Sequence, residues 1–182
     1  YTVSFALRLA PLFFVRPSEL RCAKWADIDL EAKEWRYHVN KTKTEHIVPL
    51  SSQAISLLAE LKAITNNSEF VFPNVRDPRR MMSDNTINSA LRRLGYTSEQ
   101  ICGHGFRAMA RTILDEVLDY PIEVIEMQLA HAVKDANGRA YNRTKYREQR
   151  HKMMQHWSDY LDGLHVGYVI SVKFGVVACV TF

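Results

Sequence analysis

The stretch ICGHGFRAMARTILDEVL, residues 101–118, decides how the rest of the chain is read. Gly103 and Gly105 flank His104 and mark a loop, because glycine sets few limits on the backbone. Behind them Ala110, Ile113, Leu114 and Val117 recur at the spacing of one helical face. His104 and Arg107 therefore fall where a loop becomes a helix, beside backbone N–H groups with no partner inside that helix. Two cation-capable side chains at such a place can receive an anion. The same histidine can equally serve as a plain helix cap, and the stretch alone leaves both readings open.

Working outward, Pro121 opens a further helix that runs to about Ala130 and delivers His131 at its end. Upstream, Ser83 caps a helix carrying Ile87, Ala90, Leu91 and Leu94, and Ser51 or Ser52 caps one carrying Ile55, Leu58, Leu61 and Ile64. Trp35, Tyr37 and Val39 alternate with Arg36 and His38, which is a strand pattern. A polar turn over residues 40–45 follows. His46–Leu50 reads as a second strand and Glu69–Phe72 as a third. Residues 1–14 form an apolar helix broken at Arg16-Pro17, because the residue before a proline avoids helical geometry. Pro17-Ser18-Glu19-Leu20 then starts a second helix, through about Trp25. After Asn137-Gly138 a long amphipathic helix carries Met153, Trp157, Tyr160, Leu161 and Leu164. The class is α+β, mostly α-helical, with a small three-stranded antiparallel sheet. One domain is expected over residues 1–164, with residues 165–182 as a C-terminal tail.

Composition bounds the function more loosely. The 182 residues suit one domain, and 47% of them are hydrophobic, enough to build a core. The net charge is +4, a mild excess that permits nucleic-acid binding without requiring it. Cys22, Cys102 and Cys179 are scattered and odd in number, which argues against a disulfide framework or a zinc ribbon and fits a reducing cytoplasm. The chain starts at Tyr1 without a methionine and is read as a fragment of a longer protein. Its last 18 residues are apolar but carry Lys173, short of the ~20 needed for a membrane span. A terminal strand packed on this domain or on a neighbouring protomer is expected there instead.

Taken singly, the other candidate residues are ambiguous. Arg16 ends the apolar run Leu12-Phe13-Phe14-Val15 and needs a partner or a ligand; Glu19 at the helix start is the simple partner. Lys41 and Lys43 sit in the turn between two strands, where lysines commonly meet solvent. His131 closes a helix and can bond its last carbonyls. Arg139, Arg143, Arg147 and Arg150 recur at helical spacing, either as a solvated face or as a stripe for a nucleic-acid backbone.

Taken together and in order, these segments resemble the tyrosine recombinase, or phage integrase, family. The resemblance rests on Val15-Arg16-Pro17-Ser18-Glu19-Leu20, on Lys41-Thr42-Lys43 ahead of His46-Ile47-Val48-Pro49-Leu50, on His104-Gly105-Phe106-Arg107, on Leu129-Ala130-His131 and on Ala140-Tyr141-Asn142-Arg143. It runs from residue 1 to about residue 164 and is nearest to prophage integrases that insert at tRNA-gene sites. The family often has glycine where Pro17 or Ser18 stands, and the interval from His131 to Tyr141 is slightly longer than in many relatives. Neither departure removes a functional group.

The resemblance implies a site-specific recombinase that cleaves and rejoins DNA through a covalent 3′-phosphotyrosyl link, integrating prophage or genomic-island DNA. Arg16 and Arg107 would present planar donor forks to the non-bridging oxygens of the pentacoordinate phosphorane. Tyr141 would be the nucleophile; with an ordinary pKa of about 10 it must lose its proton as it attacks. His104 would accept or orient that proton, and His131 would donate to the phosphate. Lys41, eight positions before Pro49, would protonate the departing 5′ oxygen, with Lys43 as the alternative. Tyr146 is the alternative nucleophile; five helical steps turn a side chain by about 140°, so both tyrosines cannot face one phosphate.

The expected partners are double-stranded attachment-site DNA, a homotetramer on that DNA, and accessory DNA-bending or directionality proteins. The expected setting is the bacterial cytoplasm and nucleoid, away from membranes. No metal is expected, because the histidines are not at metalloprotease spacing and no acidic cluster suggests a two-metal nuclease, and no cofactor is expected, because the protein–DNA link conserves the phosphodiester energy. A type IB topoisomerase, or an inactive DNA-binding or regulatory module on the same fold, is the rival reading.

Overall fold

Helix α1 (Thr2–Phe13) is the element on which the others pack. It buries Phe5, Ala6, Leu9, Ala10, Leu12 and Phe13. It meets α3 (Ser52–Thr65), α4 (Thr86–Arg93), α5 (Gly105–Glu116) and α7 (Arg147–Val166). A helix that is apolar around most of its circumference belongs inside a domain. Pro11 lies in its last turns, and the Pro11 carbonyl accepts a 2.9 Å hydrogen bond from the indole of buried Trp157 on α7. The computed structural model describes residues 2–39, 44–131 and 146–166. Lys41, Lys43, Tyr141, Arg139 and Arg143 lie outside those residues, as does the chain beyond Val166.

The chain leaves α1 through Phe14 in a left-handed conformation (φ +36°). Arg16 is extended, as a residue before proline must be, and Pro17 starts the short helix α2 (Pro17–Arg21). A 3₁₀ turn (Trp25–Asp27) leads into the sheet, whose order is β1 (Ile28–Asp29), β2 (Glu34–Val39), β3 (Thr44–Pro49). Both pairings are antiparallel, with Ile28 opposite Trp35, Trp35 opposite Val48 and Tyr37 opposite His46. The sheet therefore has three strands as expected, but the third differs. Residues 69–72 make only a single bridge, Phe70 to Lys24, with Val71 N–H donating to the Ala23 carbonyl. Val71 and Phe72 are both fully buried.

Ser51 caps α3, its hydroxyl accepting from Ala54 N–H at 3.3 Å. At α4 the cap position is Asn85, and Ser83 instead bonds the Thr86 hydroxyl at 2.8 Å, so the expected Ser83 cap is displaced by two residues. Helix α6 (Ile122–Gln128) follows Pro121 as expected. Ile64 and Leu94 are 51% and 65% exposed, so the apolar faces read from sequence run one turn beyond the core.

Candidate active site

Arg107 on α5 is the anchor of the site. It is only 5% exposed. One of its terminal nitrogens donates to the Phe14 carbonyl at 3.0 Å and the other to the Leu129 carbonyl at 2.8 Å. Those carbonyls lie just past the C-terminal ends of α1 and α6, where helix dipoles favour a cation. The guanidinium is thus a cross-link between two helix ends, and its planar fork is what lets one side chain reach both. Burial lowers its pKa from the ordinary value, the nearby Arg16 charge lowers it further, and Glu19 works the other way. Arg16 and Arg107 therefore share one electrostatic neighbourhood.

Arg16 is placed by the break between α1 and α2. Glu19 holds it twice: its backbone N–H donates to Oε2 at 2.9 Å and its guanidinium to Oε1 at 2.8 Å. Tyr37 on β2 adds a third donor, its hydroxyl lying 3.0 Å from Glu19 Oε2. Burial, and then the Glu19 charge, hold the Tyr37 phenol well above its ordinary pKa, so it stays a neutral donor. Arg16, Glu19, Tyr37 and His38 line an open hollow of about 770 Å³. That hollow reaches the His38–Glu45 pair, next to the strand ends Val39 and Thr44 between which Lys41 falls in sequence.

His131 arrives at the same place by a different route. Helix α6 ends with Ala130 left-handed (φ +52°); Ala130 N–H bonds the Met127 carbonyl and His131 N–H the Glu126 carbonyl. This is the Schellman arrangement, and it sets His131 just beyond the helix end. Its ring does not bond the last carbonyls. Nδ1 contacts the Glu126 carboxylate at 2.5 Å, and Nε2 lies 3.3 Å from the Arg107 guanidinium. Glu126 also accepts from Arg111 Nε at 2.9 Å. Burial alone would raise the Glu126 pKa, but the bonds from His131 and Arg111 outweigh it and hold the carboxyl below its ordinary value.

His104 occupies the N-cap position of α5, one turn before Arg107, with an exposed side chain that makes no capping bond. The plain-cap reading therefore fails. Gly103 beside it is closely packed: a Cβ there would sit 3.0 Å from Ile87 Cγ2 and 3.5 Å from Pro17 Cγ. Its N–H also donates to the Asn88 side chain at 2.8 Å. At Gly105 the nearest atom would be 3.8 Å away, an ordinary contact.

Four of the six residues singled out in the sequence are thus described. Arg107 and His131 are in contact, Arg16 lies two residues beyond the Phe14 carbonyl that Arg107 bonds, His104 stands at the start of the helix that carries Arg107, and Lys41 and Tyr141 lie outside the described residues. The arginine stripe is overturned at its C-terminal end. Arg150 is 1% exposed, bonds the Gln128 side chain at 2.7 and 3.0 Å, and also bonds the Ile47 carbonyl. Arg147 pairs with buried Glu34. Arg150 thus faces the interior of the domain, whereas Arg147 stays exposed while it reaches Glu34. Tyr146 packs against the core immediately before α7. Sequence reasoning missed Glu126 and Tyr37. The only local signal for Glu126 was a carboxylate five positions before a histidine at a helix end.

With this geometry in hand, comparison gives the class first: the fold is that of the tyrosine recombinase catalytic domains. The integrase of mycobacterium phage Brujita matches with a TM-score of 0.64 at 16% identity, over 86% of this chain and 51% of that one. A lambda integrase tetramer bound to a Holliday junction matches with a TM-score of 0.55 at 20% identity, over 78% of this chain and 44% of that one. The phage integrase family pattern matches residues 4–148, and the chain belongs to that family. The integrase of enterobacteria phage P4 is 44% identical over 173 residues, covering 86% of this chain and 39% of that protein. The chain thus spans about two fifths of that relative's length.

Proposed function

We propose that this chain is the catalytic part of a site-specific DNA integrase, which cuts and rejoins strands through a 3′-phosphotyrosyl intermediate. The observation that carries the reading is the Arg107 guanidinium, fixed between two helix ends with His131 against it and Arg16 nearby. Glu19 already pairs with Arg16 and Glu126 with His131; a phosphodiester is a further anion whose oxygens suit two planar donor forks. Preorganised donors of this kind act most strongly where charge builds up in the transition state.

In this reading Arg16 and Arg107 hold the non-bridging oxygens and His131 donates to the same phosphate. His104 handles the Tyr141 proton, and Lys41 protonates the leaving 5′ oxygen. Tyr141 is favoured over Tyr146 because Tyr146 packs on the core. Double-stranded attachment-site DNA is the substrate, and integration of prophage or genomic-island DNA in the bacterial cytoplasm is the setting. The lambda integrase tetramer on a Holliday junction supports a tetramer as the working assembly here.

The test is incubation with a nicked attachment-site duplex followed by a denaturing gel. A covalent protein–DNA band should form, vanish in Tyr141→Phe and persist in Tyr146→Phe. An intact band in Tyr141→Phe overturns the nucleophile; no band from the unaltered chain overturns the proposed activity. Joining between two duplexes, rather than within one, separates an integrase from a topoisomerase.

A further inference from the structure

His131 can meet a phosphate only if the correct ring nitrogen faces it. An imidazole on a two-bond side chain can flip, and its two nitrogens exchange donor and acceptor roles with the tautomer. Something must choose. Within the described structure the choice is made at Nδ1, which lies 2.5 Å from Glu126 Oε2. An ionised carboxylate only accepts, so Nδ1 carries the proton. Nε2 is then the acceptor facing the Arg107 guanidinium at 3.3 Å, where an N–H can donate to it. The carboxylate is itself fixed from its other oxygen, Oε1, by Arg111 Nε at 2.9 Å. The same residue holds the histidine's backbone, since His131 N–H donates to the Glu126 carbonyl at 3.0 Å.

We infer that Glu126 is a positioning residue: it holds the Nδ1 proton of His131 and so turns Nε2 toward Arg107 and the phosphate of the DNA, to which Nε2 donates once it too has taken up a proton. The inference rests on the proposed strand-transfer reading for its phosphate, but the geometry it invokes is independent of activity. Glu126 does not touch the substrate; it acts through His131. Groups that orient a metal-ligating histidine typically matter by ~10–100-fold, and the same scale is expected for one that orients a phosphate-binding histidine.

The test has a spectroscopic and a kinetic arm. Nitrogen-15 NMR of the histidine-labelled chain should show His131 as the Nδ1–H tautomer. In Glu126→Met, which removes both oxygens while keeping a good helix former, that signature should be lost. In Arg111→Met, which breaks the tie between α5 and α6 but leaves the carboxylate facing His131, it should remain. The single-turnover rate of covalent adduct formation should fall at least about tenfold in Glu126→Met, and by less than threefold in Arg111→Met. Adding Glu126→Met to His131→Ala should lower the rate no further. An Nε2–H tautomer in the unaltered chain overturns the inference without any variant. So do equal losses in the Glu126 and Arg111 variants, or an additive double variant. If the unaltered chain forms no adduct, the strand-transfer reading fails instead, while the tautomer result still decides the role of Glu126.

Discussion

Replacing each of the two arginines by lysine separates anchoring from catalysis. Lysine keeps the charge but has one compact ammonium in place of a planar fork. At position 107 it cannot reach both the Phe14 and Leu129 carbonyls, which Arg107 meets at 3.0 and 2.8 Å. At least one buried carbonyl then loses a charged donor, a cost of about 1–3 kcal/mol. For a domain of this size that is a fall in Tm of roughly 2–12 °C. At position 16 the partner is Glu19, which a lysine can still meet, and the Arg16 side chain is 23% exposed. The stability loss there should stay below about 1 kcal/mol. On the proposed strand-transfer reading, in which both forks hold the phosphate, both variants should lose ~10²–10³ in the rate of covalent adduct formation. Denaturant titration gives the first quantity and single-turnover gel assays the second. The expected pattern is equal kinetic damage with unequal loss of stability. Unchanged stability in Arg107→Lys would refute the helix-end anchor. A full rate in either variant would refute the shared clamp.

Gly103→Ala should cost about 1–3 kcal/mol, because its Cβ meets Ile87 at 3.0 Å, while Gly105→Ala should be neutral by the same melting assay. Arg150→Met should leave the slope of log affinity against log salt unchanged, since a guanidinium 1% exposed contacts no phosphate. A slope smaller by about one unit would restore it to a DNA-binding stripe. Tyr37→Phe removes one of three donors to Glu19 and should cost about 1 kcal/mol of stability. Its adduct rate should fall less than that of Arg16→Lys; an equal fall would make Tyr37 part of the clamp itself.

The linear sequence determined the helices and where they break. Apolar spacing marked α1, α3, α5 and α7, and proline marked the starts of α2 and α6, because backbone sterics and one-sided burial act over a few residues. It also determined which residue types could serve a phosphate, since Arg16, Arg107, His104 and His131 stand in ordered segments of recognisable composition. It could not determine which strand completes the sheet. Ile28–Asp29 and residues 69–72 are both short, and only pairing with β2 chose between them. Nor could it separate buried from exposed arginines. Arg150 and Arg79 are equally charged letters, yet the first bonds Gln128 inside the domain and the second is 90% exposed beside Asp77. The contacts of Glu126 and of the Phe14 and Leu129 carbonyls are likewise visible only in the tertiary structure. The Arg107 cross-link joins helix ends distant in sequence, and local propensity carries no information about which ends will meet.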